Sequence, residues 1–326
     1  MLTNKKISVI PICYKDEGSV REMYKLVTDV MQGITNNYEI IYVNDRSPDG
    51  AMEIFRELAK NDQHLTVITH SRNFNSQMAF TSGLRYCTGD AAIILDGDLQ
   101  DPPALFPAMV QNWLEGFEVV YGVRTSREEG RLIHFCRRVF YRLLHKLSYV
   151  RIPVDVGDFS LMDRKVIDAL NAMPERDRFL RGLRAWTGFR QTGVEYHRLQ
   201  RFDGRRAPSS LRGYIWYAKN GIISFSRAPL EWITYLGFFF TVLSFLAIVG
   251  YFTAWIVLPP EKSPPGLITI YLLVLFFGGV QLLSLSIIGE YVGKIFDEVK
   301  KRPPYIIDDI LNDHRGWMKE KKNTGE

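Results

Sequence analysis

The stretch AAIILDGDLQDPP, residues 91–103, decides the fold. Its apolar run, Ala91–Leu95, reads as a buried strand that delivers Asp96 and Asp98 at its carboxyl end. Along an extended chain, residues two apart share a face, so these two carboxylates are expected to converge on one ligand. Gln100, two residues further on, can add a third oxygen, and Gly97 leaves room for close backbone approach. Hard divalent cations such as Mg²⁺ or Mn²⁺ take oxygen ligands of this kind and neutralise phosphates while keeping several waters. The same acids can instead be turn formers, and Asp101-Pro102-Pro103 can start a helix.

Outward from this strand, further β-rich runs occur at Ile7–Ile12, Glu39–Val43, Leu65–Thr69 and Glu118–Gly122. Helix-like segments lie between them at Val20–Gln32, Ala51–Asn61, Gln77–Arg85 and Pro103–Glu115. Such alternation predicts an α/β domain with a mainly parallel sheet covered on both faces. Ligands of such sheets bind beyond the carboxyl ends of the strands, which makes the residues just after each strand the candidates. The composition changes near residue 230, where two apolar stretches follow, Ile233–Leu258 and Leu267–Ile288. Each has the roughly 20 residues that a helix needs to cross about 30 Å of hydrocarbon. Lys294, Lys300, Lys301 and Arg302 follow the second stretch and Arg227 precedes the first, so both termini are expected in the cytoplasm.

The chain has 326 residues and a formal net charge of +5, a balance that suits anionic lipid as well as nucleic acid. Cys13, Cys87 and Cys136 are odd in number and far apart, which argues against a disulfide framework or zinc cluster and suits a reducing compartment. The N-terminal apolar run ends at Pro11 and Lys15–Glu17, too early for a signal peptide.

Arginine suits phosphate because its fork donates two hydrogen bonds. Arg124 follows the fifth strand, with Arg127, Arg131, Arg137 and Arg138 beyond it; a solvated basic face is the plainer reading of any one of them. Arg131–Leu147 is a basic amphipathic helix that fits a bilayer interface or a core equally well by periodicity. Leu211–Ser226 leads into the first apolar stretch, and its Tyr214, Trp216 and Tyr217 suit a headgroup layer.

Four ordered motifs carry a resemblance. SVIPICYKDE (8–17), NDRSPDG (44–50), SRNFN (71–75) with Gln77, Ala79 and Gly83-Leu84, and DGDLQDPP (96–103) resemble family 2 glycosyltransferases of the polyprenyl-phosphate group, which includes bactoprenol glucosyltransferases and dolichol-phosphate mannose synthases. The two apolar stretches, ending in Gly289-Glu290-Tyr291, resemble the bacterial bactoprenol type, so the likeness runs from about residue 7 to 305. It implies a glycosyltransferase-A, Rossmann-like domain at 1–208, interfacial helices at 209–231, two transmembrane helices within 232–292 and a cytoplasmic tail at 293–326. It also implies that Pro11, Tyr14 and Glu17 line the base and ribose pocket and that Asp45 hydrogen-bonds the base. Asp96 would reach the ribose or the metal, Asp98 and Gln100 would bind the metal, and Arg124 and Arg138 would bind phosphate. Asp158, in VDVGDFSLMDRK, matches the catalytic aspartate better than Asp155, as a base or as an orienting group.

The implied reaction is inverting transfer of a sugar, with UDP-glucose as donor, onto undecaprenyl phosphate or another polyisoprenyl phosphate at the inner membrane face. GDP-mannose or UDP-aminoarabinose are alternative donors. No nucleic-acid partner is expected, and the membrane helices offer a surface for a homo-oligomer. The sequence departs from the family's usual pattern at Lys15-Asp16, and RFDGRRAPSSLRGY (201–214) lacks a lysine common in relatives. A processive polysaccharide synthase, a nucleotidyltransferase and a non-catalytic membrane scaffold are the competing readings.

Overall fold

A computed structural model describes residues 1–125, 156–176, 178–198, 228–257 and 267–317. The expected amphipathic helices at 131–147 and 211–226 lie outside these residues, as do Arg127, Arg131, Arg137, Arg138, Asp155, Cys136 and the 201–214 segment. Cys13 and Cys87 are free and buried.

The described part of the first unit is built on one sheet. β1 (Ile7–Cys13), β2 (Tyr38–Asn44), β3 (Leu65–His70) and β4 (Ala91–Asp96) match the four apolar runs to within a residue or so at either end. Between them lie α1 (Glu17–Ile34), α2 (Ala51–Asn61) and α3 (Ser76–Tyr86). A 3₁₀ turn at Pro103–Leu105 leads into α4 (Phe106–Leu114), and β5 (Val119–Arg124) follows. Then come β6 (Val156–Asp163), α5 (Arg164–Ala172), α6 (Leu180–Trp186) and β7 (Gln191–Tyr196).

The two-residue period of the strands divides the core between the two faces. Val9 and Tyr42 pack with Val20, Met23 and Val27 of α1 on one face. Ile10 and Val43 point to the other, where α3 lies so close that a Cβ on Gly83 would meet Ile10 Cγ2 at 2.4 Å.

The sheet is mixed rather than mainly parallel. Its order is β7-β5-β6-β4-β1-β2-β3-β8. β1–β2, β2–β3, β1–β4 and β5–β7 pair in parallel, but β6 runs antiparallel between β4 and β5. The eighth strand, β8 (Ile307–Leu311), pairs antiparallel with β3. It lies in the segment expected to be a tail. Ile307 and Ile310 are buried on it and Asp308 and Asp309 are exposed, a break in strict alternation that coincides with the register irregularity where it pairs with Thr69 and His70.

The second unit contains two long helices, α7 (Ala228–Val257) and α8 (Leu267–Val299). They touch through aromatic rings, Phe240 lying 5.3 Å from Phe276 and 5.5 Å from Phe277. Among the described residues, one segment, Phe276–Val299, is long and apolar enough to cross a membrane, where the sequence reading expects two; Leu230–Phe240 is a shorter apolar stretch. None of the long segment's apolar window is buried, unlike the core helix of a soluble protein. Exposed side chains such as Phe238, Val274, Leu282 and Leu285 form an apolar surface that requires an apolar cover.

Candidate functional site

Strand direction gathers the candidate residues at one edge. In the parallel registers Ile12 lies beside both Val43 and Asp96, so the carboxyl ends of β1, β2 and β4 are level. β6 is antiparallel and therefore begins at that edge. Its pairing of Ile94 with Ser160, continued by two residues, brings Asp158 alongside Asp96. β5 ends there with Arg124, opposite Tyr196 of β7.

Asp96 and Asp98 are brought together, but not by the alternation of an extended chain. The strand stops at Asp96, and residues 97–100 turn sharply, with Leu99 in the left-handed region at φ 62°. Within this turn Asp98 Oδ1 accepts the Gln100 N–H at 3.1 Å. Gly97 is required because the turn lies against β1: a Cβ there would sit 2.2 Å from the Ile12 carbonyl oxygen. The Ser19 hydroxyl donates to the Gly97 carbonyl at 2.6 Å and pins the turn from α1. The close backbone approach expected at Gly97 is thus made to β1.

Asp101 does not cap a helix. It is buried, accepts a hydrogen bond from the Tyr196 hydroxyl and faces Arg124 Nη2 at 3.6 Å. Arg124 also donates from Nε to Tyr196 at 3.1 Å, so its charge is already engaged within the protein. Burial pulls its pKa down, but Asp101 and Tyr196 outweigh that and hold it above the usual arginine value.

Asp158 is more completely tied. Its Oδ1 accepts from Arg181 Nε at 2.9 Å, and its Oδ2 accepts from Arg181 Nη2 at 3.0 Å and Gln77 Nε2 at 3.1 Å. Burial raises its pKa, yet Arg181, then Arg184 and Arg124, bring it below the ordinary carboxylate value. Gln77 reaches back through its Oε1 to the Leu180 N–H at 2.9 Å and so fixes the start of α6. Arg184 is buried on the same helix, and desolvation brings its pKa down to about 10.

Asp96 shows the opposite shift. Burial, then the charges of Asp101, Asp98 and Asp158, push it up to about 7, and Arg124 offsets only part of this. Four acids crowd one edge, which is the field a divalent cation relieves. Among the described residues no three His, Cys, Asp or Glu side chains form a ready-made cage. Mg²⁺ and Mn²⁺ bind through one or two carboxylates and take their remaining ligands from water and substrate phosphates. On this donor chemistry Asp96, Asp98 and Gln100 fit such an ion.

The expected nucleotide-side residues stand on the neighbouring loops. Pro11 lies in β1 opposite Leu95, one residue short of the Asp96 row, and Tyr14 is exposed. Glu17 Oε2 accepts the Gly50 N–H at 3.0 Å, while its own N–H donates to Asp49 Oδ2 at 3.1 Å. The Lys15 N–H donates to Ser47 Oγ at 2.7 Å, and these bonds lock the first loop to the second. Lys15 holds φ 62°, a conformation in which asparagine is several-fold enriched, so the departure at Lys15-Asp16 carries a local backbone cost. Asp45 is buried, with Oδ1 accepting from His70 Nδ1 and the Phe74 N–H, each at 2.8 Å.

The sequence reading passed over Arg181, Arg184, Tyr196, His70 and the acidic role of Asp101. The spacing of Arg181 and Arg184 in LRGLRAW, three apart on one helix, was the available signal for that pair. Asp101 and Tyr196 are 95 residues apart and offer no such local pattern.

Residues 8–170 match the family described as Glycosyl transferase family 2. An uncharacterized glycosyltransferase of Bacillus subtilis (strain 168), YkcC, is 40% identical, covering 92% of both chains. The SfII prophage-derived bactoprenol glucosyl transferase of Shigella flexneri is 36% identical over 95% of this chain and 99% of its own length. The prophage bactoprenol glucosyl transferase homolog of Escherichia coli (strain K12) is 34% identical over 93% and 98%. Among solved structures, the glucosyl-3-phosphoglycerate synthase of Mycobacterium tuberculosis with Mn²⁺, UDP and glucosyl-3-phosphoglycerate is 18% identical over 67% of this chain and 78% of that one. Its TM-score is 0.46, too loose a likeness to bear on the site.

Proposed function

The chain belongs to glycosyl transferase family 2, and from that premise we propose that it transfers a sugar from a nucleotide-sugar onto a polyprenyl phosphate at the cytoplasmic face of a membrane. The observation that carries this reading is the gathering of Asp96, Asp98, Asp101 and Asp158 with Arg124, Arg181 and Arg184 at one sheet edge. It occurs in a chain whose relatives of nearly equal length include bactoprenol glucosyl transferases. UDP-glucose is the donor and undecaprenyl phosphate the acceptor in this reading.

Asp96, Asp98 and Gln100 would hold a divalent cation, which when bound neutralises the donor diphosphate and stabilises it as it departs. Pro11, Tyr14, Glu17 and Asp45 line the nucleotide side. Arg124 fixes the Asp101 turn, and by the resemblance Arg138 offsets the charge of the approaching phosphate. The reaction is a single displacement with inversion: an acceptor phosphate oxygen bonds the anomeric carbon as the bond to the nucleoside diphosphate breaks.

Asp158 acts by position. Both of its oxygens are occupied and Arg181 keeps it ionised. A phosphate monoester, with a second pKa near 6 by analogy with phosphoserine, is largely ionised at neutral pH and needs no base. Asp158 therefore holds Arg181 and Gln77 where a phosphate meets them.

Connectivity supports a paired crossing within this reading. The chain leaves the α/β unit before α7 and re-enters its sheet at β8, so a crossing by α8 calls for a second one. α7, with 30 residues and a length of about 45 Å at 1.5 Å per residue, supplies the crossing that pairs with α8.

The test is transfer of radiolabel from a panel of nucleotide-sugars into organic-extractable lipid, with and without EDTA. Label in lipid from UDP-glucose, lost with EDTA and restored by Mn²⁺ or Mg²⁺, is expected. No lipid product from any donor would leave a non-catalytic scaffold as the better reading.

A further inference from the structure

The segment after α8 does more than close the sheet. Pro303 and Pro304 restrict the backbone and lead into Tyr305, which is buried at 5% exposure. The Tyr305 ring stacks on His70, with centroids 5.4 Å apart and planes 14° from parallel. His70 is fully buried at the end of β3, with Phe74 set edge-on at 5.6 Å. One ring nitrogen, Nδ1, lies 2.8 Å from Asp45 Oδ1, and the other, Nε2, lies 2.9 Å from the Ser82 hydroxyl. The Ser71 N–H donates to the Ile306 carbonyl at 2.9 Å, fastening the same two segments through their backbones.

Each contact leaves the next group one orientation. The Tyr305 face and the Phe74 edge fix the plane of the imidazole, and the imidazole with the Phe74 N–H fixes the Asp45 carboxylate. A carboxylate buried at the tip of a strand is costly unless it is paired, and His70 with the Phe74 N–H supply that pairing. It stands at the sheet edge where ligands of such folds bind.

We propose that His70 and Tyr305 are positioning residues for the nucleotide-binding carboxylate Asp45, so that the segment returning from α8 completes the donor pocket. This rests on the reading of Asp45 as a nucleotide contact. The ligand class is a nucleoside diphosphate held through its base or ribose. The distant segment sets its affinity without touching the reacting atoms.

The experiment uses the full-length chain in detergent and measures Kd for whichever of UDP and GDP the wild type binds, together with donor KM and kcat. Tyr305→Leu and His70→Phe are expected to raise Kd and KM about tenfold, with kcat at saturating donor changed less than about twofold. A change confined to KM marks lost binding rather than lost transition-state contact. Tyr305→Phe keeps the ring and should bind like wild type. Trp317→Leu is the control for a merely structural effect, since Trp317 stacks on Tyr86 in the same returning segment at 5.4 Å, away from His70. It should lower the melting temperature and leave Kd unchanged. Equal Kd shifts in Tyr305→Leu and Trp317→Leu would overturn the proposal. So would an unchanged Kd in Tyr305→Leu while Asp45→Asn weakens binding. Intact binding in Asp45→Asn itself would remove the nucleotide reading, and the positioning role with it.

Discussion

The two flanks of the sheet hold their acids differently. On the β1–β3 flank, Glu17, Asp45 and Asp49 are tied by backbone N–H groups, one imidazole and the Ser47 hydroxyl. On the β4–β6–β5–β7 flank, Asp101 and Asp158 are held by guanidinium groups, a phenol and an amide. Backbone N–H dipoles shape a pocket on the first flank. Full charges on the second flank build a prearranged ion network. Loss of a backbone tie loosens a loop, whereas loss of a guanidinium strands a buried carboxylate.

The largest expected effect therefore lies on the second flank. Arg181→Ala leaves Asp158 without its two best donors; the pair is largely buried, at 20% and 11% side-chain exposure, and breaking it costs about 3 kcal/mol. Denaturant unfolding should show that loss, and sugar transfer should fall at least tenfold, about 1.4 kcal/mol in barrier. Arg181→Lys should recover only part of it, because a point charge cannot make both bonds. A stability loss below about 1 kcal/mol would put the two flanks on the same footing.

The same pair predicts a pH signature. Asp158 has a folded pKa below its unfolded value. Its stabilisation is thus fully present above the unfolded pKa of about 3.9 and disappears as pH falls through the lower folded value. The difference in melting temperature between wild type and Asp158→Asn should stay constant through neutral pH and shrink only in acid. A difference that shrinks near neutrality would mean Asp158 titrates there, and base catalysis would return as its role.

Next in size is Gly97→Ala, at the seam between the flanks. Its Cβ would lie 2.2 Å from the Ile12 carbonyl oxygen, a backbone atom that cannot swing aside. Overpacking of this kind costs about 1–3 kcal/mol. Because Asp96 and Asp98 flank the turn, EDTA-sensitive transfer should drop by more than the stability loss explains. Equal losses in both measurements would make the turn a packing device alone.

The flanks also differ in how far they could be read from sequence. β1 to β4 and α2 were legible because each apolar run ends where the chain turns to polar loop residues, and α2 matches its expected range, Ala51–Asn61. The carboxylates after β2 and β4 were legible for the same reason. β6 was hidden because its eight residues, VGDFSLMD, carry acids at both ends, and its antiparallel insertion between β4 and β5 depends on pairings far apart in sequence. β8 was hidden because IDDIL is short, has two acids in its five residues and follows two long apolar stretches. Ion partners such as Asp101 with Arg124, or Asp158 with Arg181, are fixed by which strands become neighbours. No local periodicity encodes that choice.

The smallest expected effect tests whether the first flank is as loosely tied as it looks. Arg46, in the loop after β2, pairs with Asp308 of β8, and both side chains are about half exposed, at 54% and 52%. Water and salt screen such a pair, and the long Arg46 side chain must be ordered to form it, so Arg46→Ala should cost no more than about 0.5 kcal/mol. The Tyr305–His70 stack and the β3–β8 backbone bonds remain in that variant, and donor KM should be unchanged. If Arg46→Ala instead unfolds the protein earlier by more than about 1 kcal/mol, the returning segment is held cooperatively by its surface charges. The difference between the flanks would then lie in where the ion pairs sit rather than in whether the fold relies on them.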